Sequence, residues 1–252
     1  MAEKKQFGLI GFPLSHSFSE KYFSEKFEKE GIKNSSYKLF PIEKIEDFPD
    51  LLKMHPDLVG LNVTIPYKEK VISYLSGLDE KTADIQAVNV VKKMPDGTWK
   101  GYNSDYFGFL STLSLFGNRD FWKGKKALIF GTGGSSKAVQ VALNDLGVFW
   151  QSVSRTGTDN FLSYESIENS ILESASLLVN CTPLGMFPNV ENCVPIQFEM
   201  LGSKHIVIDL VYNPTETLFM QRAAAKGAKV CNGLHMLKAQ AEKAWEIWQS
   251  QD

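Results

Sequence analysis

Lys68 and Asp105 are residue types that can move a proton, and each stands where a helix is expected to begin. Pro66 is well placed as a first helical residue, with Tyr67, Val71 and Leu75 on one buried face. Lys68 then falls in the first turn, the end of a helix least favourable to a cation. That placement fits a lysine used in proton transfer and equally a surface lysine balanced by Glu69. Asp105 opens DYFGFLSTLSLFG, where a carboxylate stabilises a helix start whatever else it does. Its case as a catalytic group rests on pairing with Lys68. Ser17 and Ser19 open another helix that should run to Gly31 with Phe23 and Phe27 inward. Hydroxyls at such an end suit a carboxylate ligand, although Ser17 and Glu20 also have the spacing of a capping box. His16 beside them has acid–base chemistry but reads more simply as a structural hydrogen-bonder. Asn89, inside the apolar run AVNVV, needs partners for its amide, and a ligand hydroxyl is one candidate.

The element that must position a second set of groups is KALIFGTGGSSKAVQVALNDLG, residues 126–147. A buried strand, Ala127 to Phe130, runs into Gly131, Gly133 and Gly134. Val139, Ala142, Leu143 and Leu146 then recur at the spacing of one helix face, and Gly147 stands at the helix C′ position. The glycines allow a tight turn and let a pyrophosphate approach the free N–H groups of the helix. Ser136 occupies the place of the third glycine of GxGxxG, so the motif needs its strand–turn–helix context to carry weight. The next strand, VFWQSVS, ends in Ser154-Arg155-Thr156. An acid there would hold a ribose 2′-hydroxyl, whereas an arginine accommodates a 2′-phosphate, which points to NADP.

Further strands are expected at 37–40, 58–65, 87–92, 98–103, 177–180, 206–210 and 228–231, with helices over 42–54 and 217–226. Residues 118–125, NRDFWKGK, read as a charged connection next to a domain boundary. Leu237, Ala241, Ala244, Trp245 and Trp248 line one face of a final helix too apolar to be left in water. With 252 residues, 43% hydrophobic, the chain can form two modest domains. A formal net charge of −2 gives no electrostatic case for nucleic acid or an anionic membrane, and no apolar run approaches a membrane span. Cys181, Cys193 and Cys231 lack metal-ligand spacing, and no metal is expected. An unpaired count of cysteines and the lack of a signal-peptide pattern fit a reducing cytoplasm.

The loops GFPLSHSFS (11–19), NVTIPYKE (62–69), AVNV (87–90), YNSDYFG (102–108), GTGGSSKA (131–138), SRT (154–156), NCTPLGM (180–186), DLVYNPTET (209–217) and GLHMLKAQ (233–240) together resemble the shikimate dehydrogenase family. Their order and spacing extend that resemblance over almost the whole chain. It implies an α/β fold of two domains. Residues 1–104 plus 235–252 would bind shikimate, residues 105–234 would form a doubly wound Rossmann-type NADP domain, and the C-terminal helix would return to the first domain. It implies that Ser17 and Ser19 bind the substrate carboxylate with Tyr212, and that Thr64, Asn89 and Gln240 hold ring hydroxyls. Lys68 and Asp105 would be the catalytic pair. Gly131, Gly133 and Gly134 would cradle the pyrophosphate, and Ser154, Arg155 and Thr156 the adenosine phosphate. Thr182, Met186, Gly233 and Met236 would line the nicotinamide pocket. The activity implied is reversible, NADP-dependent reduction of 3-dehydroshikimate to shikimate in the shikimate pathway, by a monomer or homodimer. A quinate/shikimate dehydrogenase of broader specificity and a non-catalytic NADP-binding regulator are the alternatives on the same fold. The chain departs from the family pattern at Glu20, Gln86, Val90, Ser154 and Leu218, and none of these changes removes a proton-transfer group or a carboxylate ligand.

Overall fold

A computed structural model of the chain describes residues 4–14 and 17–251. It divides into two compact units, one running to Ser104 and resuming at Ala241, the other Asp105–Gln240. The first unit contains β1 (Lys5–Gly11), α1 (Phe18–Lys29), β2 (Ser35–Pro41), α2 (Phe48–Met54), β3 (Leu58–Val63), β4 (Gly77–Leu78), α3 (Glu80–Ile85), β5 (Val90–Lys93) and β6 (Trp99–Tyr102). The second contains α4 (Asp105–Ser114), α5 (Arg119–Trp122), β7 (Lys126–Phe130), α6 (Gly134–Asp145), β8 (Phe149–Ser154), β9 (Leu162–Ser163), α7 (Asn169–Ser174), β10 (Leu177–Asn180), β11 (Ile206–Asp209), α8 (Leu218–Ala224) and β12 (Lys229–Asn232). The helix α9 (Leu234–Gln249) starts in the second unit and ends in the first.

The first sheet has the order β2-β1-β3-β5-β6-β4. Its β2, β1 and β3 are parallel, and β3, β5 and β6 pair antiparallel. Beyond Lys5 every residue of β1 is buried, as expected of a strand covered on both faces. One face packs Ile10, Phe40, Phe48, Leu61 and Val63 together. The other carries Phe7, Phe23, Phe27 and Tyr37 against Ala241, Ala244, Ile247 and Trp248 of α9. Trp248 sits flush on Gly60, where an added Cβ would come within 2.4 Å of the indole, and its Nε1 donates to the Val91 carbonyl at 3.1 Å.

The second sheet is parallel throughout, in the order β12-β11-β10-β7-β8-β9. Counted from β7 this is the 3-2-1-4-5-6 order of the doubly wound dinucleotide fold. The order reverses between β7 and β10, and such folds take their ligands at strand C-terminal ends beside that reversal. The expected glycine-turn unit is thus the central strand and first helix of this sheet.

Four local expectations are corrected. No helix begins at Pro66. The Ile65–Pro66 peptide is cis, residues 64–69 form turns, and a 3₁₀ segment starts only at Lys70. Lys68 is therefore a turn residue, and the helix-end argument about its charge does not apply. Residues 118–125 are more than a connection, because Asn118 accepts from the Phe121 N–H at 3.0 Å to cap α5 and Trp122 is buried. The segment 42–54 becomes a 3₁₀ turn, Ile45–Asp47, followed by α2, with Pro49 in the first helical turn where its missing N–H costs nothing. The strand expected from Ala87 begins only at Val90. Val88 N–H bonds the Lys68 carbonyl at 2.7 Å instead of a ladder partner.

Candidate active site

In the first unit the candidate groups gather where β1 and β3 end. Thr64 follows β3, and its N–H donates to the Ile10 carbonyl at 2.9 Å. Gly11 makes that approach feasible, since a Cβ there would meet the Thr64 methyl at 2.4 Å. The turn carrying Lys68 is closed by Tyr67 N–H to the Thr64 carbonyl at 2.9 Å. Tyr67 is buried, and its hydroxyl donates to the Ile42 carbonyl at 2.7 Å, which anchors the turn to the body of the unit. The bond from Val88 ties the Lys68 backbone to the residue before Asn89. Thr64, Lys68 and Asn89 are thus brought together by backbone bonds between three chain segments.

Ser17 is the N-cap of α1, its hydroxyl accepting from the Ser19 N–H at 3.2 Å. The capping function read from the sequence is realised at this N–H rather than through that of Glu20. His16 lies outside the described residues. The Ser19 side chain lies beside the Tyr37 hydroxyl. Tyr37 in turn donates to Asn62 Oδ1 at 2.8 Å, and Asn62 Nδ2 reaches the Asn89 carbonyl at 3.3 Å. Burial pushes the Tyr37 phenol well above its ordinary range, so it stays a neutral donor. Asn89 then grips Ser104. Its Oδ1 accepts from the Ser104 N–H at 2.7 Å, and its Nδ2 donates to Ser104 Oγ at 3.0 Å. Ser104 is fully buried and immediately precedes Asp105, itself buried as the first residue of α4. A chain of neutral groups therefore runs from Tyr37 in β2 to the start of α4. Tyr37, Asn62 and Ser104 were not singled out from the sequence. For Tyr37 and Asn62 the only signal was a polar group inside an otherwise apolar strand, and Ser104, after β6, carried none.

In the second unit, Gly131 follows β7 with φ +108°, a conformation that favours glycine, and a Cβ there would come within 3.0 Å of the Thr182 methyl. The loops after β7 and β10 therefore touch at the point where the strand order reverses. Gly133 is the N-cap of α6, and a Cβ on it would meet nothing within 4 Å. Gly134 is the first residue of α6. Ser136, in the third-glycine position, is buried and bonds back to the Gly133 carbonyl at 2.8 Å. The small side chain keeps helix and strand close, which is the task of that glycine. Arg155 and Thr156 are exposed beyond β8, and the Ser154 hydroxyl turns onto the Thr156 carbonyl.

The loops after β10 and β11 are joined through Asn180 and Asp209, facing residues in the strand register. Asn180 Oδ1 accepts from Thr182 N–H at 3.0 Å and Thr182 Oγ1 at 2.6 Å. Its Nδ2 donates to Asp209 Oδ1 at 2.9 Å. Asp209 also receives Val211 N–H at 3.0 Å and Thr217 Oγ1 at 2.6 Å. Burial pushes the Asp209 carboxyl up to about 6, against the opposing pull of those three donors. Phe187 N–H closes the two loops on each other at the Asn213 carbonyl, 3.0 Å away. Met186 and Tyr212 on these loops are 46% and 37% exposed, available to a ligand. Gly233 lies so close to Leu210 that a Cβ would be 2.1 Å from its carbonyl oxygen. Met236 and Gln240 pack on α4 at Gly108, one turn beyond Asp105.

A parallel doubly wound sheet with a glycine turn at its reversal defines a dinucleotide-binding α/β protein, here with a separate mixed-sheet unit rich in hydroxyl, amide and amine groups. The chain belongs to the shikimate dehydrogenase family. Residues 9–91 match the model of the shikimate dehydrogenase substrate binding domain. The NADP(+) shikimate dehydrogenase of Clostridium beijerinckii is 36% identical over 96% of this chain and 91% of its own. The crystal structure of shikimate 5-dehydrogenase from Thermus thermophilus, in complex with NADP(H) and shikimate, superposes with a TM-score of 0.85 at 31% identity, covering 97% of this chain and 93% of that one. Ligand-free 5-ketofructose reductase of Gluconobacter superposes with a TM-score of 0.82 at 25% identity, covering 98% and 93%. The fold is thus shared by enzymes named for different substrates.

Proposed function

We propose that the protein catalyses the reversible, NADP-dependent reduction of 3-dehydroshikimate to shikimate, a step of aromatic amino acid biosynthesis. The observation that carries this reading is the glycine turn at the reversal of a parallel sheet, followed one strand later by Arg155 between two hydroxyls. The residues fit the coenzyme, because the α6 N-terminus is uncrowded at Gly133 and Arg155 is exposed. Gly131, Gly133 and Gly134 would hold the pyrophosphate, Ser154, Arg155 and Thr156 the 2′-phosphate end, and Thr182, Met186, Gly233 and Met236 the nicotinamide end. When bound, NADP supplies the two-electron redox chemistry.

The remaining work falls to residues of this chain. Ser17 and Ser19 bind the substrate carboxylate at the start of α1, with Tyr212, and Thr64, Asn89 and Gln240 hold ring hydroxyls. Lys68 donates a hydrogen bond to the keto oxygen, stabilises the charge that develops there and passes its proton to that oxygen in the reducing direction, and it takes the proton from the hydroxyl in the oxidising direction. Asp105 orients Lys68. Residues 1–104 plus 235–252 form the substrate domain in this reading and 105–234 the coenzyme domain. Among the described residues no helix is long and apolar enough to cross a membrane. We assign the protein to the cytoplasm, as a monomer or homodimer acting on small molecules.

Initial rates followed by nicotinamide absorbance, with shikimate and quinate each paired with NADP⁺ and NAD⁺, test the reading. Turnover confined to shikimate with NADP⁺ is the expected outcome. Comparable rates with quinate or NAD⁺ replace it with a broader dehydrogenase. Tight NADPH binding without any turnover replaces it with a regulator.

A further inference from the structure

Asp209 is a fully buried carboxylate to which the mechanism above gives no part. Its three hydrogen-bond donors come from three different places: Asn180 at the end of β10, Val211 in the loop after β11, and Thr217 at the start of α8. Each of those donors fixes something further. Asn180 accepts both the N–H and the hydroxyl of Thr182, and its amide also reaches the Leu184 carbonyl at 3.2 Å. Thr182 Oγ1 in turn accepts from the Leu184 N–H at 3.2 Å, so the backbone leading to Met186 is specified residue by residue. Thr217 caps α8 by accepting from the Met220 N–H at 3.3 Å. Val211 carries the chain to Tyr212, and its carbonyl receives the Gly233 N–H at 3.1 Å.

We infer that Asp209 is a positioning residue for the coenzyme: as a carboxylate it holds the loop after β10 and the loop after β11 as one shelf under the nicotinamide end. The inference rests on reading this unit as the NADP-binding unit. Two arguments carry it. An ionised carboxylate can only accept, so it can serve three donors that arrive from separate segments, and no neutral side chain of its size accepts from all three. Burial disfavours the charge it carries, so the carboxylate is a poor device for stability alone. What it contributes is a single arrangement of two loops that carry Thr182, Met186, Tyr212 and the seat of Gly233. The coupling is local and passes through bonds already described.

The test uses the full chain and the variants Asp209→Asn, Thr217→Val and Thr217→Ser. NADPH affinity is measured by fluorescence titration, and KM for NADP⁺, KM for shikimate, kcat and Tm are measured beside it at neutral pH. Losing one or two of these bonds should weaken NADPH binding and raise the NADP⁺ KM roughly five- to tenfold in Asp209→Asn and Thr217→Val. The shikimate KM should stay near that of the parent, and Asp209→Asn should not lower Tm. Thr217→Ser should restore most of the affinity lost in Thr217→Val. Variants that bind NADPH as tightly as the parent overturn the inference and leave the coenzyme reading intact. A fall of Tm with a parallel rise of both KM values in Asp209→Asn makes the residue merely structural and overturns it as well. A parent chain that does not bind NADPH overturns the coenzyme reading first, and this inference with it.

Discussion

The two units organise their functional loops in opposite ways. In the first, every link from Tyr37 through Asn62 and Asn89 to Ser104 is a neutral hydroxyl or amide. In the second, the corresponding task falls to one buried anion, Asp209, surrounded by neutral donors. A neutral network holds its geometry over the whole range in which the protein folds. A buried carboxylate ties the geometry to a protonation state, and it makes the folded state sensitive to pH.

The largest expected effect lies in the first unit. Lys68→Ala should lower kcat about 10²–10⁴-fold with little change in the shikimate KM, read from steady-state kinetics. A loss confined to KM would make Lys68 a binding group. The next effect isolates the anion. The folded-state carboxyl of Asp209 is raised to about 6 from 3.8, so folding favours its protonated form. That favourable contribution is present below about pH 4 and is lost as pH rises through about 6. Stability of Asp209→Asn relative to the parent should therefore improve by up to about 3 kcal/mol between pH 4 and pH 7 in urea titrations. A difference that does not change with pH would show that the carboxyl titrates normally.

A smaller effect should follow from the neutral chain. Asn62→Leu leaves the Tyr37 hydroxyl and the Asn89 carbonyl each short of a bond, at a cost of about 1–3 kcal/mol. Because neither group ionises in the accessible range, this cost should be the same at pH 5 and pH 8, and a sloping difference would break the contrast between the units. The smallest effect concerns Gln86, which closes α3 with φ +56°, φ in the region that favours glycine. Gln86→Gly should raise stability by no more than about 1 kcal/mol, visible as a small upward shift in Tm.

Much of this architecture was legible because apolar runs such as Leu177–Asn180 and Ile206–Asp209 have few ways to be buried, and the glycine turn fixes the helix that follows β7. Pro66 misled for a definable reason. Its local signal for a helix start was overridden by Tyr67, whose buried hydroxyl bonds Ile42 and whose N–H closes a turn on Thr64. The segment 118–125 misled because charged letters surround a single buried tryptophan. The supporting residues of the two sites were the least legible. Asp209 takes its donors from positions 29 and 8 residues away in sequence, a pairing visible only once two strands lie side by side. Ser104 looked like a loop residue until Asn89 was seen to hold it.

The notch at Gly60 that receives Trp248 also governs the order in which the chain can be finished. The indole, the Val91 carbonyl it bonds and the Lys92 ammonium that reaches Ser250 at 2.7 and 2.8 Å belong to one unit. Yet the whole of Asp105–Gln240 is synthesised between them. While that stretch leaves the ribosome, Phe7, Phe23 and Phe27 have no Ala244, Ile247 or Trp248 to cover them. The parallel sheet can close within its own continuous sequence, whereas the first unit must wait, with an apolar face open to aggregation or to a chaperone, until the segment beginning at Ala241 emerges.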